Sequence, residues 1–231
     1  MGPITAIIPV RAGSRRVKNK NITPFNKTTL LEHKIEQLKQ VSEISSIVVS
    51  SDSEYMLSLA KEHGVETHQR PVEYCDERTK SFGEVVRYIC SNVSGEHILW
   101  ATCTSPLVYP ALYSQAIVQY ECALREGYDS LISVRPFKEY LWDENGPINY
   151  QAGLKHVPSQ QLPDWNLVTN GIFLLPRECA VEWAYFFGRN PYKFKISKFA
   201  SVDIDDELDL LQAEAWLNSY YQKFEKTSEE S

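Results

Sequence analysis

Two clusters of charge stand near opposite ends of the sequence, and each has a composition suited to chemistry. The first is the run Arg11-Ala12-Gly13-Ser14-Arg15-Arg16-Val17-Lys18-Asn19-Lys20-Asn21, directly after the apolar stretch Thr5 to Val10. A basic loop at the carboxyl end of a sheet strand lies where open α/β folds bind ligands. Gly13 permits close backbone approach, amide N–H groups can cradle anionic oxygens, and Arg11, Arg15 and Lys20 carry the charge to neutralise a triphosphate as pyrophosphate departs. A solvated basic loop is the plainer reading. The run is neither a P-loop nor a GxGxxG turn, which sets aside the dinucleotide oxidoreductases that share this fold class.

The second cluster is Asp203-Ile204-Asp205-Asp206-Glu207-Leu208-Asp209. Alternation at a strand end, with Ile204 turned inward, would point Asp203 and Asp205 the same way, as carboxylate ligands of a hard cation such as Mg²⁺. An acidic helix start would need the same residue types. Displacement at phosphorus asks for positioning and charge neutralisation more than for a nucleophilic side chain, and no convincing Ser-His-Asp or Cys-His set is present. The proton of an attacking hydroxyl would go to metal-bound hydroxide or to a carboxylate such as Asp205.

The elements needed to hold these clusters are legible in the pattern. Short apolar runs alternate with amphipathic ones, as in repeated βα units around a largely parallel sheet. Strands are expected at Thr5–Val10, Ser46–Ser51, Val65–His68, Ile98–Ala101, Ser130–Val134 and Gly171–Leu175. Helices are expected from Leu31, over about 53–63, over 82–92, over about 110–126 and from about Asp206. Regularity breaks between Arg135 and Val168, an excursion with prolines, Tyr140, Leu141, Trp142 and Trp165, suited to substrate contact or to a dimer contact. The expectation is a single α/β domain over 1–224, doubly wound on a mostly parallel sheet, with 225–231 as a disordered tail.

Composition bounds the partners. The 231 residues carry a formal net charge of −6, with 43% hydrophobic and 23% charged residues. No Lys/Arg stripe interleaved with aromatics marks a nucleic-acid face. No apolar span reaches the length of a membrane helix, and the opening strand is too short for a signal sequence. Cys75, Cys90, Cys103, Cys122 and Cys179 are an odd number with no CxxC pair, which fits a reducing cytoplasm better than a disulfide framework or a zinc site.

The stretch IIPVRAGSRRVKNKNITPF, with VVSSD (Val48–Asp52), QRP (Gln69–Pro71), TSPL (Thr104–Leu107), QQLP (Gln160–Pro163), NGIF (Asn170–Phe173) and DIDDELD, resembles the acylneuraminate cytidylyltransferases, the CMP-sialic acid synthetases, and their relatives that activate Kdo. The resemblance implies a Rossmann-like nucleotidyltransferase fold, CTP as donor, an acidic sugar as acceptor, Mg²⁺ as cofactor and a homodimer. Carried over by position, it places Arg11, Ala12, Gly13, Ser14, Arg15, Lys20, Asn21, Arg70 and Ser81 on the nucleotide, with Lys20 at its phosphates. Thr102, Ser105, Gln160, Gln161 and Asn170 are the candidates to receive the acceptor, and the alternation read above puts Asp203 and Asp205 on the metal. Arg11, Lys20 and Asp205 would carry the catalytic step.

The sequence departs from that pattern in the acceptor region. Thr102-Cys103 stands before TSPL in place of Gln-Pro, Val108 follows it in place of Arg, and Ser159 precedes QQLP in place of Arg. A second arginine is replaced at Val168 or a neighbour. A lost bidentate clamp on a carboxylate is not conservative, at roughly 1.5–3 kcal/mol. Lys155, His156 or Arg135 could supply another cation. The acceptor thus stays open between sialic acid and a related 3-deoxy-2-ulosonic acid, beside two further readings: another NTP or acidic acceptor, and a nucleotide-binding protein without turnover.

Overall fold

The computed structural model describes residues 1–13, 19–76 and 78–229, with 221–229 as backbone only. Strand β1 (Ile4–Pro9) leads through a 3-10 turn at Lys20–Ile22 and a short ribbon of β2 (Pro24–Phe25) and β3 (Thr28–Thr29) to helix α1 (Leu30–Lys39). Then come β4 (Ile44–Ser51), α2 (Glu54–Glu62), β5 (Glu66–Gln69), α3 (Phe82–Ser91), β6 (His97–Trp100), α4 (Pro110–Arg125) and β7 (Ser130–Phe137). A second ribbon of β8 (Trp142–Asp143) and β9 (Gly146–Pro147) precedes β10 (Trp165–Pro176), α5 (Arg177–Trp183), β11 (Pro191–Lys195) and α6 (Glu207–Glu229).

The main sheet has seven strands in the order β11-β7-β10-β6-β1-β4-β5. Its pairs are parallel except where β10 runs antiparallel to both β6 and β7. The central strands are apolar on both faces because helices cover both. The period of two along a strand splits β1 accordingly: Ala6 and Ile8 join one core with Leu31, Ile35, Met56, Leu112 and Ala213, while Ile7 joins the other with Val86, Ile89, Cys90 and Ala180. Helices α1, α2, α4 and α6 therefore lie on one face, and α3 and α5 on the other.

Local sequence explains where the helices begin. Thr29 with Glu32 and Ser81 with Glu84 form capping boxes at α1 and α3, Ser53 caps α2, and Pro110 occupies the first turn of α4.

The larger departures from the sequence expectation lie in the second half of the chain. Arg135–Phe137 continue β7 and Trp165–Val168 open β10, paired antiparallel from Trp165 opposite Phe137 to Val168 opposite Val134. The excursion is therefore confined to 138–164. Trp165, Leu167 and Val168 are exposed, so no burial period marked them as strand. Between Leu175 and Asp206, where no element was expected, lie α5 and β11. The first has only seven residues and the second is a half-exposed edge strand, PYKFK, whose lysines blunt the edge. Helix α6 is assigned through Glu229, into the segment expected to be a tail.

A surface cluster ties α1 to the end of α2. His63 lies 2.8 Å from Glu36 and 3.3 Å from Glu32. The bond to Glu36 raises the His63 pKa above its ordinary 6.5, against a smaller effect of burial. The bond from His63 lowers Glu36, and bonds from Thr29 and His63 lower Glu32 despite its burial, both from 4.5. A raised histidine stabilises fully below its unfolded value and ceases to as pH climbs through its folded one, while lowered carboxylates do the reverse. The cluster therefore contributes most between about pH 4.5 and 6.5. The melting temperature of the wild type minus that of His63→Gln is expected to shrink as pH rises above 6.5. The difference is the informative quantity, because His33, His68 and His97 are pushed down by burial and act with the opposite sign.

Candidate active site

A cavity of about 570 Å³ opens at the carboxyl ends of β1, β5 and β6, the size and place of a small-molecule site. One wall is polar: Arg11, Lys20, Asn21, Arg70 and Lys80, with Thr102 and Asn170 at its end. The other is aromatic, where Phe82, Trp100 and Phe173 converge on Phe186 at ring separations of 5.1, 6.1 and 4.3 Å.

The chain leaves β1 at Pro9, and its next residues are fastened to neighbouring strand ends. Arg70 follows β5 and is buried, donating to the Val10 carbonyl at 2.6 Å and to Cys75 Sγ at 2.9 Å. Arg11 donates to the Cys75 carbonyl at 2.7 Å, and Asn21 Nδ2 returns to the Arg11 carbonyl at 3.0 Å. Gly13 has φ +71°, a left-handed conformation that favours glycine. Ala12 and Gly13 are exposed beside the cavity, and the Ala12 amide is held by Asp52 Oδ1 at 2.9 Å. Ser14 and Arg15, expected at the nucleotide, lie outside the described residues.

The two charge clusters meet. Lys20 Nζ donates to the Ile204 carbonyl at 2.7 Å and lies 3.4 Å from Asp205 Oδ1, with its side chain only 14% exposed. Asp203 accepts through Oδ2 from Asn170 Nδ2, while its Oδ1 is buried without a hydrogen-bond partner among the described residues. The segment 203–205 is not a strand, contrary to expectation. Ile204 is instead pinned by burial and by its amide on the Thr104 carbonyl at 2.8 Å, which sends Asp203 toward Asn170 and Asp205 toward Lys20. Asp209 caps the start of α6 through the amides of Asp205 and Asp206, so the acidic run both begins a helix and faces the basic loop.

Asn170 reaches the cavity through an irregularity in β10. Its register with β7 shifts between Val168 and Phe173, and Ser133 Oγ fills the gap by taking the Thr169 hydroxyl at 2.7 Å and the Ile172 amide at 2.9 Å. Bulges of this kind re-aim side chains beside functional sites. Thr102 Oγ1 donates to the Asn170 carbonyl at 2.8 Å.

Other expected residues stand elsewhere. Ser105 is buried behind the lining, 3.3 Å from the Thr102 hydroxyl. Ser81 does not line the cavity, because its hydroxyl is engaged in the α3 capping box next to Lys80 and Phe82. Gln160 and Gln161 sit exposed on a 3-10 turn outside the lining; Lys155 and His156, exposed in the excursion, and Arg135, half-buried on β7, are also outside it. The sequence reading missed Tyr74, Lys80 and the aromatic wall. Lys80, 5.2 Å over the Tyr74 ring, was signalled only by its place before a capping box, and the four aromatics come from four separate elements. Burial raises the thiol of Cys75, the cysteine in the lining, so it offers no ready thiolate.

A family model described as cytidylyltransferase matches residues 5–142. The chain belongs to the cytidylyltransferase family. The matched span takes in the basic loop, Arg70, Lys80 and Thr102, while Asn170, Asp203 and Asp205 lie beyond it. The chain is 26% identical over 215 residues to N-acylneuraminate cytidylyltransferase of Escherichia coli O18:K1:H7 (strain RS218 / NMEC), covering 89% of this chain and 50% of that protein. It spans about half the length of the first curated relatives it matches. It is also 26% identical to CMP-N,N'-diacetyllegionaminic acid synthase of Campylobacter jejuni subsp. jejuni serotype O:2 (strain ATCC 700819 / NCTC 11168), covering 90% of this chain and 92% of that one. Among solved structures, CMP:2-keto-3-deoxy-manno-octonic acid synthetase complexed with CTP shares the fold with a TM-score of 0.71 at 11% identity, covering 94% of this chain and 99% of that one. The mostly parallel α/β architecture is thus the fold of that synthetase.

Proposed function

We propose that this cytidylyltransferase transfers CMP from CTP to an acidic sugar, sialic acid or a related 3-deoxy-2-ulosonic acid, and releases pyrophosphate, as a step toward surface glycans. The observation that carries this reading is the meeting of Lys20, a residue of the cavity lining, with Asp205 at 3.4 Å: a triphosphate-neutralising loop reaches the late carboxylates beside the cavity. The names of several relatives, N-acylneuraminate cytidylyltransferases and a CMP-N,N'-diacetyllegionaminic acid synthase, support it.

In the reaction, the sugar hydroxyl oxygen forms a bond to the α-phosphorus, the bond from that phosphorus to the bridging oxygen breaks, and pyrophosphate carries away the electron pair. Arg11 and Lys20 hold phosphate oxygens and offset the charge gathering on the leaving group. Arg70, fixed by Val10 and Cys75, shapes the nucleoside end, while Thr102 and Asn170 offer a hydroxyl and an amide to the acceptor. The hydroxyl proton passes to a carboxylate oxygen such as that of Asp205. Asp203 Oδ1, buried without a partner among the described residues, and the nearby Asp205 are the carboxylates that would hold Mg²⁺, which commonly takes one or two carboxylates together with substrate phosphates. Bound there, the ion would supply Lewis-acid stabilisation of phosphate charge.

The test is a panel of acids, N-acetylneuraminate, N,N'-diacetyllegionaminic acid and Kdo, each with CTP and Mg²⁺ and with pyrophosphate as readout, repeated with the other three NTPs. Release with CTP and one acid is expected, whereas no release with any pair would sink the proposal. Arg11→Ala is expected to raise the KM for CTP about 10-fold to 100-fold, the loss of one or two hydrogen bonds to charged oxygen, with a smaller change for the acid.

The same reading includes a homodimer and a cytoplasmic location. The arm over 138–164 and the first half of β10 expose Tyr140, Trp142, Ile148, Leu154, Trp165 and Leu167, a patch suited to a second copy. Solution mass tests the dimer. No described helix is long and apolar enough to cross a membrane.

A further inference from the structure

Helix α1 turns a polar face inward. His33 Nε2 and Gln37 Nε2 both donate to the Pro106 carbonyl, at 3.1 and 2.7 Å, and Lys34 Nζ donates to the Ser105 carbonyl and to the Tyr113 hydroxyl, each at 2.9 Å. Lys34 is completely buried, and among the described residues no carboxylate forms an ion pair with it. Burial pulls its pKa from 10.5 to about 7, so an amine at this place costs stability that an apolar side chain would not.

The two acceptors on Lys34 lead to the same end of the cavity by different routes. Ser105, whose carbonyl takes one bond, also has its hydroxyl 3.3 Å from that of Thr102. Tyr113, whose hydroxyl takes the other, reaches the Gly171 carbonyl at 3.5 Å, one residue beyond Asn170. Thr102 and Asn170, the residues so held, are bonded to each other and both line the cavity. A third thread passes nearby, where Cys103 Sγ bonds Asn21 Oδ1 in the basic loop.

We propose that Lys34 is a positioning residue: its buried amine joins the segment after β6 to the irregularity in β10 and so sets the spacing of the Thr102 hydroxyl and the Asn170 amide that receive the acceptor. The assignment to the acceptor rests on the function proposed above, whereas the joining of the two segments does not.

Lys34→Met keeps most of the volume and removes the amine. The expected result is a KM for the acidic sugar raised about tenfold, with the KM for CTP changed less than about twofold, because the bonds of Arg11 and Arg70 are untouched. A merely structural loss would lower the active fraction, reducing kcat with both KM values unmoved, and that pattern overturns the proposal. Should Lys34→Met fail to fold, Tyr113→Phe breaks the same link from its other end and is expected to shift acceptor KM in the same direction by about threefold.

Amide hydrogen exchange gives a readout that needs no turnover. Faster exchange is expected in residues 102–108 and 170–172 in the folded variant, with the rest of the sheet unchanged. Unchanged exchange there overturns the role of Lys34 whatever the kinetics show, as does faster exchange with an unchanged acceptor KM. A wild-type enzyme that turns over no acid with CTP removes the functional reading and with it the assignment to the acceptor, while exchange still decides whether Lys34 holds the two segments together.

Discussion

Asp205→Asn is expected to abolish magnesium-dependent pyrophosphate release, by about 10³-fold or more, while unfolding stays cooperative and the melting temperature moves little. The substitution is nearly isosteric, removes the charge and turns one carboxylate oxygen into an amide donor. Asp205 Oδ1 lies 3.4 Å from Lys20 Nζ, and the backbone of the segment is held independently by Ile204 on Thr104 and by Asp209 on the amides of Asp205 and Asp206. Those backbone anchors remain in the variant, whereas a cation facing triphosphate oxygens would lose one of the two carboxylates proposed to hold it. CTP binding without Mg²⁺, followed by calorimetry, is expected to persist in the variant. Turnover at the wild-type rate would remove the metal assignment outright.

Lys20→Met should have an effect of similar size through the opposite charge. The Lys20 amine is nearly buried and points at the Ile204 carbonyl and Asp205, so it is preorganised rather than a mobile surface cation. Removing a fixed positive charge from the side of a departing pyrophosphate costs about 10²-fold to 10³-fold in kcat, the magnitude typical of one lost oxyanion donor. Methionine preserves the stem packing, so the loss should fall on kcat far more than on the KM for the acid. A variant that loses only stability, with the kcat of its folded fraction intact, would leave Lys20 as a strut between the chain ends.

The paired variants also bear on each other. Lys20 and Asp205 are in contact, so their effects should not add. In Lys20→Met the Asp205 carboxylate is left without its amine, and the double variant is expected to be little slower than the worse single one.

Much of this protein is legible in its sequence because the signals are local. The alternation of Ala6, Ile7 and Ile8, each buried but split between the two cores, follows from burial on both faces of a strand, and the helical spacing of Leu31, Ile35 and Leu38 follows from burial on one. The basic loop after β1 is placed by the same logic, since a strand this apolar must end where polar residues begin. The late run of aspartates was equally visible, although its two readings, acidic helix start and partner of the basic loop, turn out to coexist because different residues serve each.

What only the tertiary structure decided lies in contacts between residues far apart in the chain. Lys20 and Asp205 are separated by 185 positions, and no pattern within either segment states their distance. The aromatic wall is assembled from α3, β6, β10 and the turn after α5, so no single window of sequence contains it. Residues read from motif position, Gln160, Gln161 and Ser81, stand outside the lining because a turn and a capping box claim them. Lys34 looks in sequence like any lysine on an amphipathic helix, and its role depends on which carbonyls the sheet brings beneath it. Periodicity reports which face of an element is buried; it carries no information about which polar group waits on the other side.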